Sequence, residues 1–591
     1  MNVNEKIKAI RDLMIKNKID FYIIPSADFH QSEDVGKYFR CREFVSGFTG
    51  SAGTLLITKE KSYLWTDGRY FIQAEKELFG SEIELFKSGM KNVPTITEFL
   101  KENVKDCETV GFDGRVVSYF QMKEYTLALK EKNAKFVLDF DFAGDIWKNR
   151  PSLSKEKIFL FDLKYCGETF ESKIKRLREK MKELGATVHI ITSLDDIAWL
   201  FNIRGNDIPC NPVVLSYAYI TLEKVILFVD KDKITKEVEK YFSENNIETK
   251  DYFSFYDNLK NIKKNEKVLL DYERINSSVY ANIPYNVEKI NKTNPTQNFK
   301  CIKNEIEIKN TINAHIKDGV AFTKFMYWLK NNIGKEKITE LDTANKIDNL
   351  RKEQIGFIEP SFETISAYGS NGAMMHYTAS ENSNALLQAK NLLLVDSGGQ
   401  YFEGTTDITR TIALGEVNET IKTHYTAVLK SLIALSNTKF LYGTKGYNFD
   451  AIARKPIWEI GLDYRCATGH GVGHLLNVHE SPNIFRLSAP FIMEENMITT
   501  VEPGIYIENS HGIRIENEIL SKNLMKNEYG QFMEFVPITF APIDIDPIDV
   551  SMLSKEEKSY LNNYHKIVFE KISPFLTLKE KEWLKIYTRE L

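Results

Sequence analysis

Cysteine is scarce and dispersed. The six residues Cys41, Cys107, Cys166, Cys210, Cys301 and Cys466 form no CxxC pair and no dense cluster. This excludes a disulfide framework and fits a reducing compartment. Proline (16) and glycine (31) are too few for a low-complexity chain. No apolar run approaches the roughly 18 residues that span a bilayer. Basic excess is missing too, with 78 Lys and Arg against 82 Asp and Glu for a net charge of −4. No field is left to hold a polyanion, so neither a membrane nor a nucleic-acid partner is expected. The opening Met1–Lys6 runs straight into an amphipathic pattern without the apolar core of a signal peptide, and the expected location is the cytoplasm. What is present is core-forming material, 43% hydrophobic and 12% aromatic, in a length suited to about four ordinary domains or fewer large ones.

The chain matches itself. Lys6–Met14 aligns without a gap on Lys173–Met181, and the match continues through Ile23-Ile24-Pro25-Ser26 and Ile190-Ile191-Thr192-Ser193. A second block, Ile57–Lys61 with Leu64 and Asp67, echoes Ile220–Lys224 with Leu227 and Asp230. Each copy opens with apolar residues at helical spacing and passes into a β-branched run, which predicts helix then strand. Two related α/β domains are expected at about 1–155 and 156–302. A third region follows at 303–591. It begins on a long helix striped by Ile308, Ile312, Ile316, Val320, Phe325 and Leu329, and gathers His376, His424, His470, His474, His479 and His511. From about 531 a loop through Pro537, Pro542 and Pro547 leads to a helical run at Lys555–Lys558, read as a C-terminal extension.

The third region carries the chemistry. Leu392–Val395 reads as a buried strand ending at Asp396. After a loop, Thr405–Arg410 alternates as a strand through Asp407. If the two pair as a hairpin, Asp396 and Asp407 face one another, and close carboxylates repel unless cations lie between them. Gly469-His470-Gly471-Val472-Gly473 places a histidine in a glycine-rich loop open to close approach. His470 and His474 have the spacing of a helical zinc pair, but the glycines argue against a helix, and neither HExxH nor GxGxxG is present. Glu502 stands in Val501-Glu502-Pro503-Gly504. In Ile513-Arg514-Ile515-Glu516-Asn517, alternation turns Arg514 and Glu516 to one face. Glu518 shares that face, so spacing alone does not choose between Glu516 and Glu518. Asp396, Asp407, Glu502 and Glu516 carry four negative charges, which two divalent cations neutralise, and His470 adds a nitrogen donor. Oxygen ligation with one imidazole suits manganese, without excluding zinc, cobalt or iron. Such a pair activates water and polarises a carbonyl, which equips the site for hydrolysis.

The order Asp396, Asp407, His470, Glu502, Glu516, with the last inside Gly512-Ile513-Arg514-Ile515-Glu516-Asn517, resembles the pita-bread metallopeptidases. The chain is similar in particular to the long, three-domain Xaa-Pro aminopeptidases. The likeness extends through Ile24–Glu33, Trp65-Thr66-Asp67-Gly68-Arg69-Tyr70, Asp196–Asn202, Asn477-Val478-His479-Glu480 and Leu561-Asn562-Asn563-Tyr564-His565. The resemblance implies an α/β and α+β multi-domain fold, two creatinase-like domains before a pita-bread catalytic domain. It implies two divalent ions held by Asp396, Asp407, His470, Glu502 and Glu516, with Asp407 and Glu516 bridging, which selects Glu516 over Glu518. A hydroxide between the ions is then the nucleophile and Glu502 the proton shuttle. His376 and His479 match residues that bind substrate carbonyls and the tetrahedral intermediate, and Arg69 matches a peptide-binding arginine whose counterpart in the second copy is Asp232. Arg514 is assigned to ordering the bridging carboxylates from behind. The implied substrates are peptides with an N-terminal Xaa-Pro, and the implied assembly is a homodimer. A prolidase preferring dipeptides, a metal-free creatinase-like hydrolase and a non-catalytic binding module are the alternatives; retention of all five ligand positions counts against the last two. One position departs from many relatives, which have histidine where this chain has Cys466.

Overall fold

A computed structural model describes residues 1–381 and 383–591. The chain forms two compact units, one of Met1–Phe161 with Glu168–Thr296 and one of Asp162–Gly167 with Gln297–Leu591.

The first unit contains both copies of the repeat. Helix α1 (Val3–Lys16) starts at a capping box between Asn2 and Glu5 and buries Ile7, Ile10 and Met14. Strands β1 (Phe21–Pro25), β2 (Thr54–Thr58), β3 (Ser62–Thr66), β4 (Ile83–Lys87), β5 (Thr109–Phe112) and β6 (Lys135–Val137) form one sheet in the order β4-β3-β2-β1-β5-β6. In the second copy α2 (Phe170–Glu183), capped by Thr169, buries Ile174, Leu177 and Met181 at the matching positions. Its strands β7 (Val188–Ile191), β8 (Ser216–Thr221), β9 (Val225–Val229), β10 (Ile247–Lys250), β11 (Lys267–Leu270) and β12 (Glu288–Asn291) run β10-β9-β8-β7-β11-β12. Parallel and antiparallel pairings coincide strand for strand. The self-match in sequence is therefore a duplicated fold. The copies lock through His30, whose Nδ1 meets Thr192 O at 2.9 Å and Nε2 meets Tyr252 Oη at 2.7 Å, and through Asn276 Nδ2 donating to Phe29 O. The Asp28-Phe29-His30 motif thus serves the junction between copies.

In the second unit α3 (Glu305–Asn332) is capped by Asn304 and Glu307 and runs unbroken along the predicted stripe. Strands β13 (Ile365–Tyr368), β14 (Leu392–Ser397) and β15 (Ile408–Ala413) form an antiparallel sheet. Helices α4 (Glu419–Ser436) and α5 (Gly446–Trp458) flank the first strand of a six-stranded sheet. Its strands, β16 (Lys439–Leu441), β17 (Gly469–Gly471), β18 (Glu480–Phe485), β19 (Ile498–Val501), β22 (Asn517–Asn527) and β23 (Gly530–Pro537), lie in the order β16-β23-β22-β19-β17-β18. A separate hairpin pairs β20 (Gly504–Ile507) with β21 (His511–Arg514). Helix α6 (Lys555–Ile572) covers a core that includes Leu432, Phe449, Ile505, Ile513, Ile515 and Val568. Near its middle Tyr564 Oη donates to Ala541 O, and His565 Nε2 accepts from Ile543 N–H.

Two local expectations change. The glycine-rich segment at 469–471 is a strand, paired with β18 and β19. A Cβ on Gly469 would stand 1.8 Å from Thr500 O, and one on Gly471 2.3 Å from Glu480 O, so glycine here permits close strand contact. The strand through Ile513–Asn517 is broken, β21 ending at Arg514 and β22 starting at Asn517, so Arg514 and Glu516 belong to no common strand. Among the described residues no helix is long and apolar enough to cross a membrane.

Candidate metal centre

Asp396 and Asp407 meet through the pairing of β14 with β15. The register sets Asp396 opposite Thr409 and Ser397 opposite Ile408. Asp407, two residues before Thr409 and just ahead of β15, is close enough for its charge to act on Asp396. Asp396 and Asp407 are buried.

His470 comes from β17. Its Nδ1–H donates to Gly471 O at 2.9 Å, which leaves Nε2 as the lone-pair nitrogen. That nitrogen lies 3.5 Å from Asp407 Oδ2 and 3.4 Å from Glu502 Oε1. Glu502, partly buried, is fixed by its N–H donating to Thr468 O at 2.7 Å. Thr468 in turn donates to Asp450 at 2.6 Å, and Arg454 holds Asp450 together with the carbonyls of Tyr464 and Cys466.

Glu516 sits in the break between β21 and β22. Its N–H donates to Thr409 O at 3.1 Å, and its Oε2 accepts from Thr409 Oγ1 at 2.7 Å. Glu518 turns elsewhere: Oε1 accepts from Asp407 N–H at 2.8 Å, and Oε2 lies 3.1 Å from His315 Nε2. The backbone break therefore separates two glutamates that alternation alone leaves equivalent. Arg514 ties the cluster from behind, donating from Nη2 to Asp396 Oδ2 at 2.5 Å, from Nε to Thr409 Oγ1 at 3.2 Å and from Nη1 to Tyr506 Oη at 2.7 Å.

Asp407, His470 and Glu516 each place one ligand-capable atom within 4.8 Å of the others. Burial raises the carboxyl pKa of Asp396, Glu502 and Glu516. Glu516, pushed furthest, also feels the charges of Asp407, Glu502 and Asp396. Oδ1 of Asp396 and Oδ1 of Asp407 are buried without a hydrogen-bond partner. Orphaned carboxylate oxygens, mutual repulsion and an imidazole lone pair on the same spot are the donor set that divalent cations satisfy.

The remaining candidates are placed as follows. His479 stacks edge-on against His470, with ring centroids 4.2 Å apart. His376 follows the short turn Gly369–Ala373, which crosses β21 where a Cβ on Gly512 would fall 1.6 Å from Gly372 O. Arg514 Nη2 reaches Met375 O at 3.4 Å, so the same guanidinium tethers the His376 segment to Asp396. Arg69 belongs to the first unit, where it pairs with Asp67 at 2.8 Å and Glu33 at 4.0 Å. His474 is engaged by Thr311 and by Tyr165 O, away from the ligand cluster. Cys466 is partly buried, and burial with the nearby Glu502 charge pushes its thiol up to about 12. Sequence patterning passed over Thr409 and His315, whose partners lie far along the chain, and Arg454, whose partners follow or precede it within twelve residues.

Carboxylates on and beside the strand ends, gathered around one imidazole in a pita-bread domain preceded by two creatinase-type domains, define a class of metallohydrolases. Family models agree along the chain. The creatinase/prolidase N-terminal domain matches residues 6–141 and, in a second version, 149–307. Metallopeptidase family M24 matches 309–523, and the C-terminal region of peptidase M24 matches 531–591. Aminopeptidase P2 of Arabidopsis thaliana is 37% identical over 100% of this chain and 89% of its own length. A probable Xaa-Pro aminopeptidase P of Talaromyces marneffei is 38% identical over 100% of this chain and 93% of its own. The crystal structure of X-prolyl aminopeptidase from Caenorhabditis elegans, described as a cytosolic enzyme with a di-nuclear active site, superposes with a TM-score of 0.97 at 31% identity, covering 100% of both chains. The chain belongs to metallopeptidase family M24.

Proposed function

We propose that this protein is an Xaa-Pro aminopeptidase, a cytoplasmic metallo-hydrolase that removes the first residue from peptides with proline in second place. The observation that carries the reading is the gathering of Asp407, His470 and Glu516 within 4.8 Å, with Asp396 and Glu502 at its edges. Full-length similarity to aminopeptidases P supports it. In this reading 1–155 and 156–302 are the two creatinase-type domains, 303–591 is the catalytic domain, and the assembly is a homodimer.

Asp396, Asp407, His470, Glu502 and Glu516 would hold two divalent cations, manganese by preference, with Asp407 and Glu516 reaching both. When bound, such ions lower the pKa of water and polarise the scissile carbonyl. The residues do the rest. The lone pair of His470 Nε2 is set by the Nδ1–H bond to Gly471 O. Glu502, beside that nitrogen, takes the proton from the attacking water and returns it to the departing proline nitrogen. An Xaa-Pro amide has no N–H, so recognition falls on the pyrrolidine shape and on the flanking carbonyls. His376 and His479 bind those carbonyls and the developing oxyanion, and Arg69 engages the peptide beyond.

The test is chelator-stripped enzyme reconstituted with manganese, zinc or cobalt and assayed on Xaa-Pro dipeptides and Xaa-Pro-Yaa peptides. Release of the first residue from tripeptides, fastest with manganese, is expected. Cleavage of dipeptides alone would move the assignment to a prolidase, and no turnover with any ion would end it.

A further inference from the structure

Glu518 is an acidic residue packed against the cluster that the proposed chemistry leaves unused. It and His315 are fully buried, and the two lie 3.1 Å apart on β22 and α3. Its other oxygen accepts the backbone N–H of Asp407 at 2.8 Å. Asp407 stands just outside the β15 ladder, and its N–H, without a strand partner, is met by the Glu518 side chain. On one flank Ile408 is fixed by its pairing with Ser397. On the other, Thr406 Oγ1 accepts from Gly399 N–H at 2.9 Å. The contact from Glu518 thus sets the remaining backbone freedom of the residue between them. Glu518 is itself held, its N–H donating to Thr539 Oγ1 at 2.8 Å and its carbonyl accepting from Ile538 N–H at 2.9 Å.

We infer that Glu518 is a positioning residue: it locks the Asp407 backbone so that the Asp407 carboxylate is preset for the cations. The inference rests on the reading of Asp407 as a ligand. A carboxylate in a fully buried place is costly, and an apolar residue of like size could fill the space. Only an acceptor can hold the Asp407 N–H.

The experiment uses full-length Glu518→Gln, Glu518→Met and Glu518→Asp, with Asp407→Ala as control. Each is stripped of metal and titrated with cobalt(II), following calorimetric affinity and visible absorption. Gln keeps an acceptor and should bind within about threefold of the parent. Met has no acceptor and should weaken binding about 10- to 100-fold, the range for groups that orient metal ligands, and change the cobalt spectrum. Should Met fail to fold, Asp gives the same reading, because the shorter side chain withdraws the acceptor while keeping the charge. Met and Asp variants that bind like the parent, or a Gln variant as weak as Met, would overturn the inference. Asp407→Ala binding like the parent would overturn the ligand reading along with it. Loss in Asp407→Ala but in no Glu518 variant would strike only the positioning role.

Discussion

Arg514 and Asp396 meet at 2.5 Å, Nη2 to Oδ2, and the same guanidinium reaches Thr409 Oγ1, Tyr506 Oη and Met375 O. One planar fork therefore sets an acidic residue of the cluster, the hydroxyl that donates to Glu516, and the segment leading to His376. A lysine, with a single compact charge, cannot reproduce that spread. Arg514→Lys should lower kcat about 10- to 100-fold and reduce bound metal, with a folded chain by circular dichroism. A variant with parental kcat and metal content would show that Asp396 needs no such support.

Asp407 and Glu516 lie with His470 at the centre of the cluster. Alanine at either removes oxygen donors that both cations would share, so activity should vanish and metal per chain, read by elemental analysis, should fall by at least half. Unchanged turnover would mean that neither residue bridges.

Physical periodicity explains what was legible before the structure. Helix-then-strand patterning exposed the duplicated fold because Ile7, Ile10 and Met14 recur as Ile174, Leu177 and Met181 on the same buried face. Asp396 and Asp407 could be paired because a buried apolar strand followed, after a short loop, by an alternating one implies a hairpin. Glu516 and Glu518 could not be separated that way, because alternation assumes an unbroken strand and the break at Ile515–Glu516 leaves no mark in residue type. The strand at 469–471 was hidden because glycine carries no side chain to alternate. His315 was invisible for another reason: its contact with Glu518 joins a helix and a strand some two hundred residues apart.

Arg69 offers a different test, since it sits in the first unit on Asp67 and Glu33. If it engages the peptide, Arg69→Ala should raise KM or depress turnover of longer peptides while metal content stays at the parental value. Released metal in that variant would place Arg69 among the groups that support the centre instead.

Cys466 lies four residues before His470, at the position where the sequence departs from the family pattern that the resemblance implies. Its thiol is pushed up to about 12, so it is protonated at neutral pH and a poor nucleophile. Alkylation by iodoacetamide at pH 7.5 should be far slower than for the exposed Cys107, and Cys466→Ala should keep activity within about threefold, as expected of a small group whose role is packing. Rapid modification with loss of activity would instead give the thiol a part in the chemistry.

The last expectation concerns acid. His189 donates from Nδ1 to Leu269 O, and burial lowers its pKa to about 4. His565 Nε2 accepts from Ile543 N–H, and burial, helped by Arg410, lowers it to about 3. Both are neutral in the fold, whereas an unfolded histidine titrates near 6.5. The unfolded chain thus binds more protons between these values, so stability is full above pH 6.5 and drains away as pH falls toward 4 and 3. Each should contribute a loss of about 2 kcal/mol between pH 7 and pH 5. Denaturant unfolding of the parent and of His565→Gln at the two pH values separates this contribution from that of other groups. The variant, whose amide oxygen can still accept from Ile543 N–H, should show a pH dependence smaller by about that amount, and an identical slope would mean that His565 is already charged in the folded protein.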